Sequence, residues 1–319
     1  MTNEPAGRVT ATRPPPLPRR ALHGVLLLDK PVGLSSNDAL QKAKRLLRAE
    51  KAGHTGTLDP LASGLLPICL GAATKFSQAS LDADKAYRAT LRLGQVTTTG
   101  DAEGAVVNER PVQVDRAALE AACARFLGPI DQTPPMHSAL KRDGRALYEY
   151  ARAGIEVERE PRRVTIHKLV IVDWQDAQLV LDVTCSKGTY IRTLAQDIGE
   201  VLGCGAHLAA LRRTASGALD VADALTLEAL AGLSEPERDA RVLPVDALLL
   251  DWPQVRLPEP EAGRFLAGMR RRVTLGDAPG VRVYGPQARA FLGSAHIQGG
   301  ELIATRLLSP LEVKGMIEP

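Results

Sequence analysis

The apolar residues of this 319-residue chain come in short runs of strand length, and these runs do not alternate regularly with helical stretches. Residues 24–29 (GVLLLD) and 65–70 read as buried strands. Residues 87–93 alternate apolar and polar side chains at strand period. Residues 164–174 and 179–185 read as paired strands about a turn at 175–178. Helical spacing is confined to a few places: 115–127, 148–153, 189–202, and a capped stretch after Ser35 that carries Ala39, Ala43, Leu46 and Leu47. A doubly wound parallel sheet needs strict alternation of strand and helix. The pattern therefore predicts a mixed α+β fold, with a mainly antiparallel sheet and flanking helices.

Composition sets the limits. Hydrophobic residues make up 45% and charged residues 24%, enough for a large core and incompatible with wholesale disorder. Aromatics are only 3%, so the core is aliphatic, and any platform that stacks on a base is drawn from four Phe, five Tyr and two Trp. The net charge is +3, and Arg8, Arg13, Arg19 and Arg20 against Glu4 account for all of it. Bulk charge thus gives no argument for nucleic acid; only local patches do. Residues 1–22, rich in Pro and Arg, read as a disordered tail.

Cys69, Cys123, Cys185 and Cys204 are too far apart for a zinc knuckle. No secretory leader is visible, and the uncharged run 60–74 is too short to span a bilayer. These features predict a reduced cytoplasmic protein away from membranes. Pro253, Pro258 and Pro260 mark a boundary near 251. The segment beyond has the size of a small independent module, with a helix at 261–266 and strands at 281–284, 290–296 and 301–308.

The stretch Gly53-His54-Thr55-Gly56-Thr57-Leu58-Asp59-Pro60 is the most informative. Its glycines admit close approach of a ligand, and Pro60 holds Asp59 extended. Taken alone this is an Asp-Pro turn. It is not a P-loop, because no lysine follows the second glycine. Residues 134–154 hold Lys141, Arg142 and Arg145 among prolines and glycines and read as a charged loop ending in a short helix.

Four blocks in order, HGVLLLDKPVGLSS (23–36), GHTGTLDPLASGLLPICLGAATKFSQ (53–78), DKAYRATLRLG (84–94) and CSKGTYIRTLAQDIGEVLGCGAHLAALRR (185–213), resemble the bacterial tRNA pseudouridine-55 synthase family. The resemblance spans residues 23–250. Residues 251–319 resemble, by size and strand content, the small β-barrel-like PUA RNA-binding domain found in many members. It implies isomerisation of uridine-55 in the T loop of tRNA by base flipping, with no cofactor, no metal and no obligatory protein partner, by a monomer. A related guide-RNA-dependent synthase is the alternative, and a tRNA-refolding role is compatible with either.

By resemblance Asp59 is the catalytic aspartate, acting as nucleophile at uracil C6 or ribose C1′, or as a base. Arg192 is its carboxylate partner. Taken bottom-up, an arginine in the first turn of a helix sits at the unfavourable dipole end and calls for such a partner. Tyr87 stacks on the base and can serve proton transfer; by pattern alone it is a core residue. Tyr190 and Leu211 contact substrate, and His54 fills the space the base vacates. Lys75 is a structural or phosphate-facing residue. Residues 134–154 match a mobile thumb that closes over RNA, with Lys141, Arg142 and Arg145 toward phosphate. His137 stands where the family motif has tyrosine; a backbone contact there survives the change, and an aromatic packing contact does not. Arg270, Arg271 and Arg272 form the densest basic run of the C-terminal module and are expected to face the RNA backbone.

Overall fold

A computed structural model describes residues 18–287 and 290–317 of the chain. The disordered-tail expectation falls mostly on residues outside that range. Its last part is held in place: Arg20 pairs with Asp239 at 2.5 Å and with Glu235 at 3.1 Å.

The larger sheet is built from β1 (Gly24–Lys30), β2 (Ala52–His54), β3 (Ala62–Leu70), β4 (Lys85–Leu93), β5 (Gly128–Gln132), β6 (Arg162–Gln175), β7 (Gln178–Cys185) and β8 (Ala206–Ser216). Its order is β1-β3-β8-β4-β7-β6-β5, with β2 added beside the end of β3. All of these pairings are antiparallel except β8 on β3. The mainly antiparallel α+β expectation is therefore met. Helices Arg116–Ala124 and Ile191–Val201 pack on the β4-β7-β8 region, where Leu119, Leu194 and Ile198 meet Leu91, Leu181 and Leu208 in one aliphatic cluster. Helix Ser36–Leu46 covers β1 and β3 through Ala39, Leu40 and Ala43.

Several expected elements shift for identifiable reasons. The helix expected over 189–202 starts at Ile191, because Gly188 has φ +80° and Tyr190 is extended at the N-cap. Ahead of the 134–154 segment, residues 128–132 form β5, whose burial alternates but whose Gly-Pro start hides it in the sequence. The helix expected at 261–266 begins at Glu259, since Pro260 is tolerated in a first turn. No element is legible in residues 206–216, yet β8 lies between β3 and β4. Two register irregularities against β4 spoil its period of two.

The C-terminal sheet, β9 (Gln254–Arg256), β10 (Arg271–Arg272), β11 (Ala278–Tyr284), β12 (Phe291–Gln298) and β13 (Glu301–Leu307), has the order β9-β11-β12-β13-β10, a half-barrel. The strands match the expected module, but its independence is not what the packing shows. One apolar cluster runs from Val25, Leu65 and Phe76 through Leu248 to Phe265, Val281 and Phe291. The rings of Phe76 and Phe291 lie 5.2 Å apart across the junction. Lys75 adds an ion pair with Glu312 at 2.6 Å, so of its two expected roles the structural one is filled.

Phe291→Ala should therefore lower stability by about 3–5 kcal/mol, as for other buried aromatic truncations. Calorimetry should show one transition for both sheets, shifted down. Two separated transitions would show that the junction core does not couple them.

Candidate active site

The segment that carries Asp59 is pinned from three sides before any ligand arrives. The Ser36 hydroxyl, 2% exposed, donates to Leu58 O at 3.0 Å and accepts from Leu58 N at 2.7 Å. Gly33 N donates to Pro60 O, and Thr55 N donates to Pro67 O. Arg213 Nη2 donates to Gly56 O at 3.0 Å. Gly56 has φ +79°, and a Cβ on it would stand 3.0 Å from Arg213 Nη1, so conformation and space both call for glycine. The same holds at Gly64, where φ is +100° and a Cβ would meet Arg213 O at 2.2 Å.

Across from this loop, Arg192 is 7% exposed in the first turn of helix Ile191–Val201. Its Nη2 lies 3.1 Å from Asp59 Oδ2, the pair expected from the sequence. A second carboxylate comes from Asp101, whose Oδ2 lies 3.4 Å from Nη1. Asp101 is itself buried and held by Thr99 Oγ1 and Glu103 N, both donating to its Oδ1. The Arg192 fork also donates to His137 O at 2.6 Å. His137 thus contributes a backbone carbonyl, the kind of contact that does not depend on the residue type.

A cavity of about 290 Å³ opens beside this cluster, with Asp59, Tyr87, Tyr190, Arg192 and Leu211 in its walls. Ser138 and Ala139 of the 134–154 segment close another side. Burial of the Tyr87 hydroxyl raises its pKa, while the Arg213 charge and hydrogen bond oppose that rise. Burial likewise raises the Tyr190 phenol, and a hydrogen bond with Ser138 opposes the rise. The Tyr190 backbone is clamped by Gln132, which accepts from its N at 2.7 Å and donates to its O at 3.1 Å. A larger cleft of about 1100 Å³, between residues 74–83 and the C-terminal sheet, contains none of the expected site residues except Lys75.

His54 is not in the cavity wall. It lies on β2 opposite Ile68, half-buried, with Nδ1 buried and unbonded. Burial first, and the Arg213 charge second, lower its pKa. In the 134–154 segment, Arg142 donates to Glu158 O, while Arg145 pairs with Glu149 at 3.3 Å and lies over the Tyr150 ring. Lys141 is exposed. Two of the three expected phosphate contacts are thus engaged within the segment or at its base. In the basic run, Arg270 pairs with Glu301 at 3.0 Å and Arg271 with Glu261 at 2.6 Å, leaving Arg272 without a carboxylate partner among the described residues.

Known proteins resemble this chain over most of its length. Residues 44–191 match the TruB family pseudouridylate synthase N-terminal domain, residues 192–250 the tRNA pseudouridylate synthase B C-terminal domain, and residues 253–308 the pseudouridine synthase II TruB C-terminal region. A protein of Cupriavidus pinatubonensis named tRNA pseudouridine synthase B is 61% identical over 306 residues, covering 93% of this chain and 97% of that protein. This chain belongs to the TruB family of pseudouridylate synthases. A Burkholderia lata tRNA pseudouridine synthase B is also 61% identical, over 302 residues, covering 93% and 94% of the two chains. Among solved structures, the archaeal box H/ACA sRNP Nop10-Cbf5 complex contains a chain of the same fold, with TM-score 0.68 and 24% identity over 91% of this chain and 86% of that one. A Cbf5-Nop10-Gar1 complex gives TM-score 0.71 and 25% identity over 92% and 87%.

The TruB-family site contains groups that sequence reasoning missed. Asp101 follows a Thr-Thr-Thr-Gly turn, and Gln132 sits on a strand that went unseen. Lys85 lines the cavity and donates to Ser80 O, Leu81 O and Ala83 O, at 3.1, 2.7 and 2.5 Å. Burial lowers its pKa from 10.5 to about 8.

Two outcomes follow from these contacts. Asp101→Asn should slow single-turnover modification about tenfold or more, with tRNA affinity kept within a few fold, because one of the two charges that orient Arg192 is lost. An unchanged rate would remove Asp101 from the site. For Lys85, the unfolded state holds more protons between about pH 8 and 10.5, so this lysine makes stability rise with pH across that window. The slope is at most about 1.4 kcal/mol per pH unit. Denaturant melts of Lys85→Met should show that rise reduced relative to wild type.

Proposed function

We propose that this chain isomerises uridine-55 in the T loop of tRNA to pseudouridine, with Asp59 as the carboxylate at the reacting carbon. The observation that carries the reading is the pairing of half-exposed Asp59 with buried Arg192 at the wall of a cavity of nucleoside size. The TruB-family membership and the names of the high-identity relatives give the substrate class.

The chemistry follows from the placement. A base paired or stacked in RNA cannot be turned over, so it must leave the stack, and the face of Tyr87 offsets part of that cost. Leu211 and Tyr190 supply the remaining apolar enclosure. The C1′–N1 bond breaks and a C1′–C5 bond forms. C5 loses a proton and N1 gains one, so composition and electron count are unchanged and no redox partner is consumed. Asp59 meets the positive charge that develops at C1′, or adds covalently, and Arg192 fixes its orientation. In this reading the Tyr87 hydroxyl can also serve proton transfer.

Residues 134–154 act as the thumb: Ser138 and Ala139 reach the cavity, and His137 O joins the thumb to Arg192. Exposed Lys141 and Arg272 are the basic side chains best placed to meet phosphate. No described helix is long and apolar enough to cross a membrane. The enzyme is read as a cytoplasmic monomer acting on bare tRNA without a guide. Relatives at 61% identity, named for tRNA, support action on tRNA over the guide-dependent alternative.

Asp59→Asn should reduce pseudouridine formation by about 10³-fold or more, with tRNA affinity kept within a few fold. Arg192 keeps Asp101, so the melting temperature should fall only slightly. Base-resolution mapping of tRNA modified by each purified protein reads the result. A folded Asp59→Asn variant with substantial activity would overturn the assignment.

A further inference from the structure

Among the described residues Arg213 is the largest fully buried side chain, 1% exposed, and it lines the Asp59 cavity. Its neighbour in sequence, Arg212, pairs with Asp29 at 2.7 Å, and Arg192 has two carboxylates. Arg213 has none within ion-pair distance among the described residues. Its Nε donates to Leu65 O at 2.7 Å and its Nη2 to Gly56 O. A buried cation held by two carbonyls and the Tyr87 hydroxyl, with no carboxylate, is costly, and the cost falls when an anion occupies the space it faces.

The register says which anion. Arg213 on β8 is the direct cross-strand partner of Tyr87 on β4, so the two side chains share one face at the cavity wall. A ring stacked on Tyr87 lies beside Arg213. The positive charge of Arg213 reaches through the site: it opposes protonation of Lys30, His54 and Lys85, and it acts on the Tyr87 hydroxyl.

We propose that Arg213 is a further catalytic residue, the counter-charge of the uracil ring while that ring is detached from the ribose. This rests on the isomerase reading above. When C1′–N1 breaks, its electron pair stays on the ring, spread over N1, O2 and O4, and the positive charge left at C1′ is met by Asp59. After the ring turns, an electron pair at C5 forms the new bond to C1′, the C5 proton leaves and N1 is protonated. The ring is neutral in uridine and in pseudouridine and anionic only between them. A fixed cation at its edge therefore favours the path over the ground states.

The test compares single-turnover cleavage of the C1′–N1 bond in T-loop RNA carrying uridine or 5-fluorouridine at the target. Fluorine withdraws the charge that Arg213 is proposed to meet. Arg213→Met should slow uridine about 10²- to 10³-fold and 5-fluorouridine at least tenfold less severely. Arg213→Lys, which keeps the charge, should retain most of the rate and the wild-type ratio of the two substrates. Equal losses for both RNAs would show a structural role and overturn the proposal. Should Arg213→Met not fold, binding on the Asp59→Asn background decides. RNA carrying 6-azauridine, at a pH where that ring is an anion, should bind about tenfold more tightly than uridine RNA; equal or weaker binding overturns the proposal. Wild-type protein that forms no pseudouridine would instead overturn the isomerase reading itself.

Discussion

The site depends on one buried cation in an unfavourable place. Arg192 occupies the first turn of a helix, where the backbone dipole opposes positive charge, and it is almost wholly removed from water. Such a group is stable only if carboxylates and carbonyls surround it. They come from three separate segments: Asp59 from the loop after β2, Asp101 from the turn after β4, and His137 O from the 134–154 segment. The requirement to satisfy Arg192 thus gathers Asp59, Asp101 and the 134–154 segment at one point.

That convergence is possible because the scaffold beneath it is rigid. β8 enters between β3 and β4, parallel to one and antiparallel to the other, and delivers Leu211 and Arg213 to the same wall as Tyr87. Arg213 then reaches back to Gly56 O and Leu65 O, tying the Asp59 loop to the strands on both sides. Ser36 holds the loop from the opposite face. The carboxylate is therefore presented by a loop that has little freedom to relax, which favours a preorganised site over one assembled by substrate.

The C-terminal half-barrel stands on the same aliphatic core. Phe76 and Phe291 meet at the junction, and the Lys75–Glu312 pair closes its edge. This fixes where exposed Arg272 lies relative to the cavity. Two of the three arginines of the basic run carry carboxylate partners, Arg270 with Glu301 and Arg271 with Glu261.

The sequence by itself determined the fold class, the order of most strands and helices, the family, and five residues of the cavity wall: Asp59, Tyr87, Tyr190, Arg192 and Leu211. Those signals are local: periodicity, turn chemistry, and motif blocks that hold many residues in order. It did not reveal β8, because its irregularities against β4 erase the alternation by which strands are recognised. Nor did it show which charges are free. Arg142, Arg145, Arg270 and Arg271 read as exposed cations until their partners are placed. Asp101 and Arg213 look like ordinary surface charges in sequence, and only burial separates them from the rest. The tertiary structure decided these points because the energy of a charge depends on its solvent exposure and on partners brought in from remote segments, neither of which is written in its neighbours along the chain.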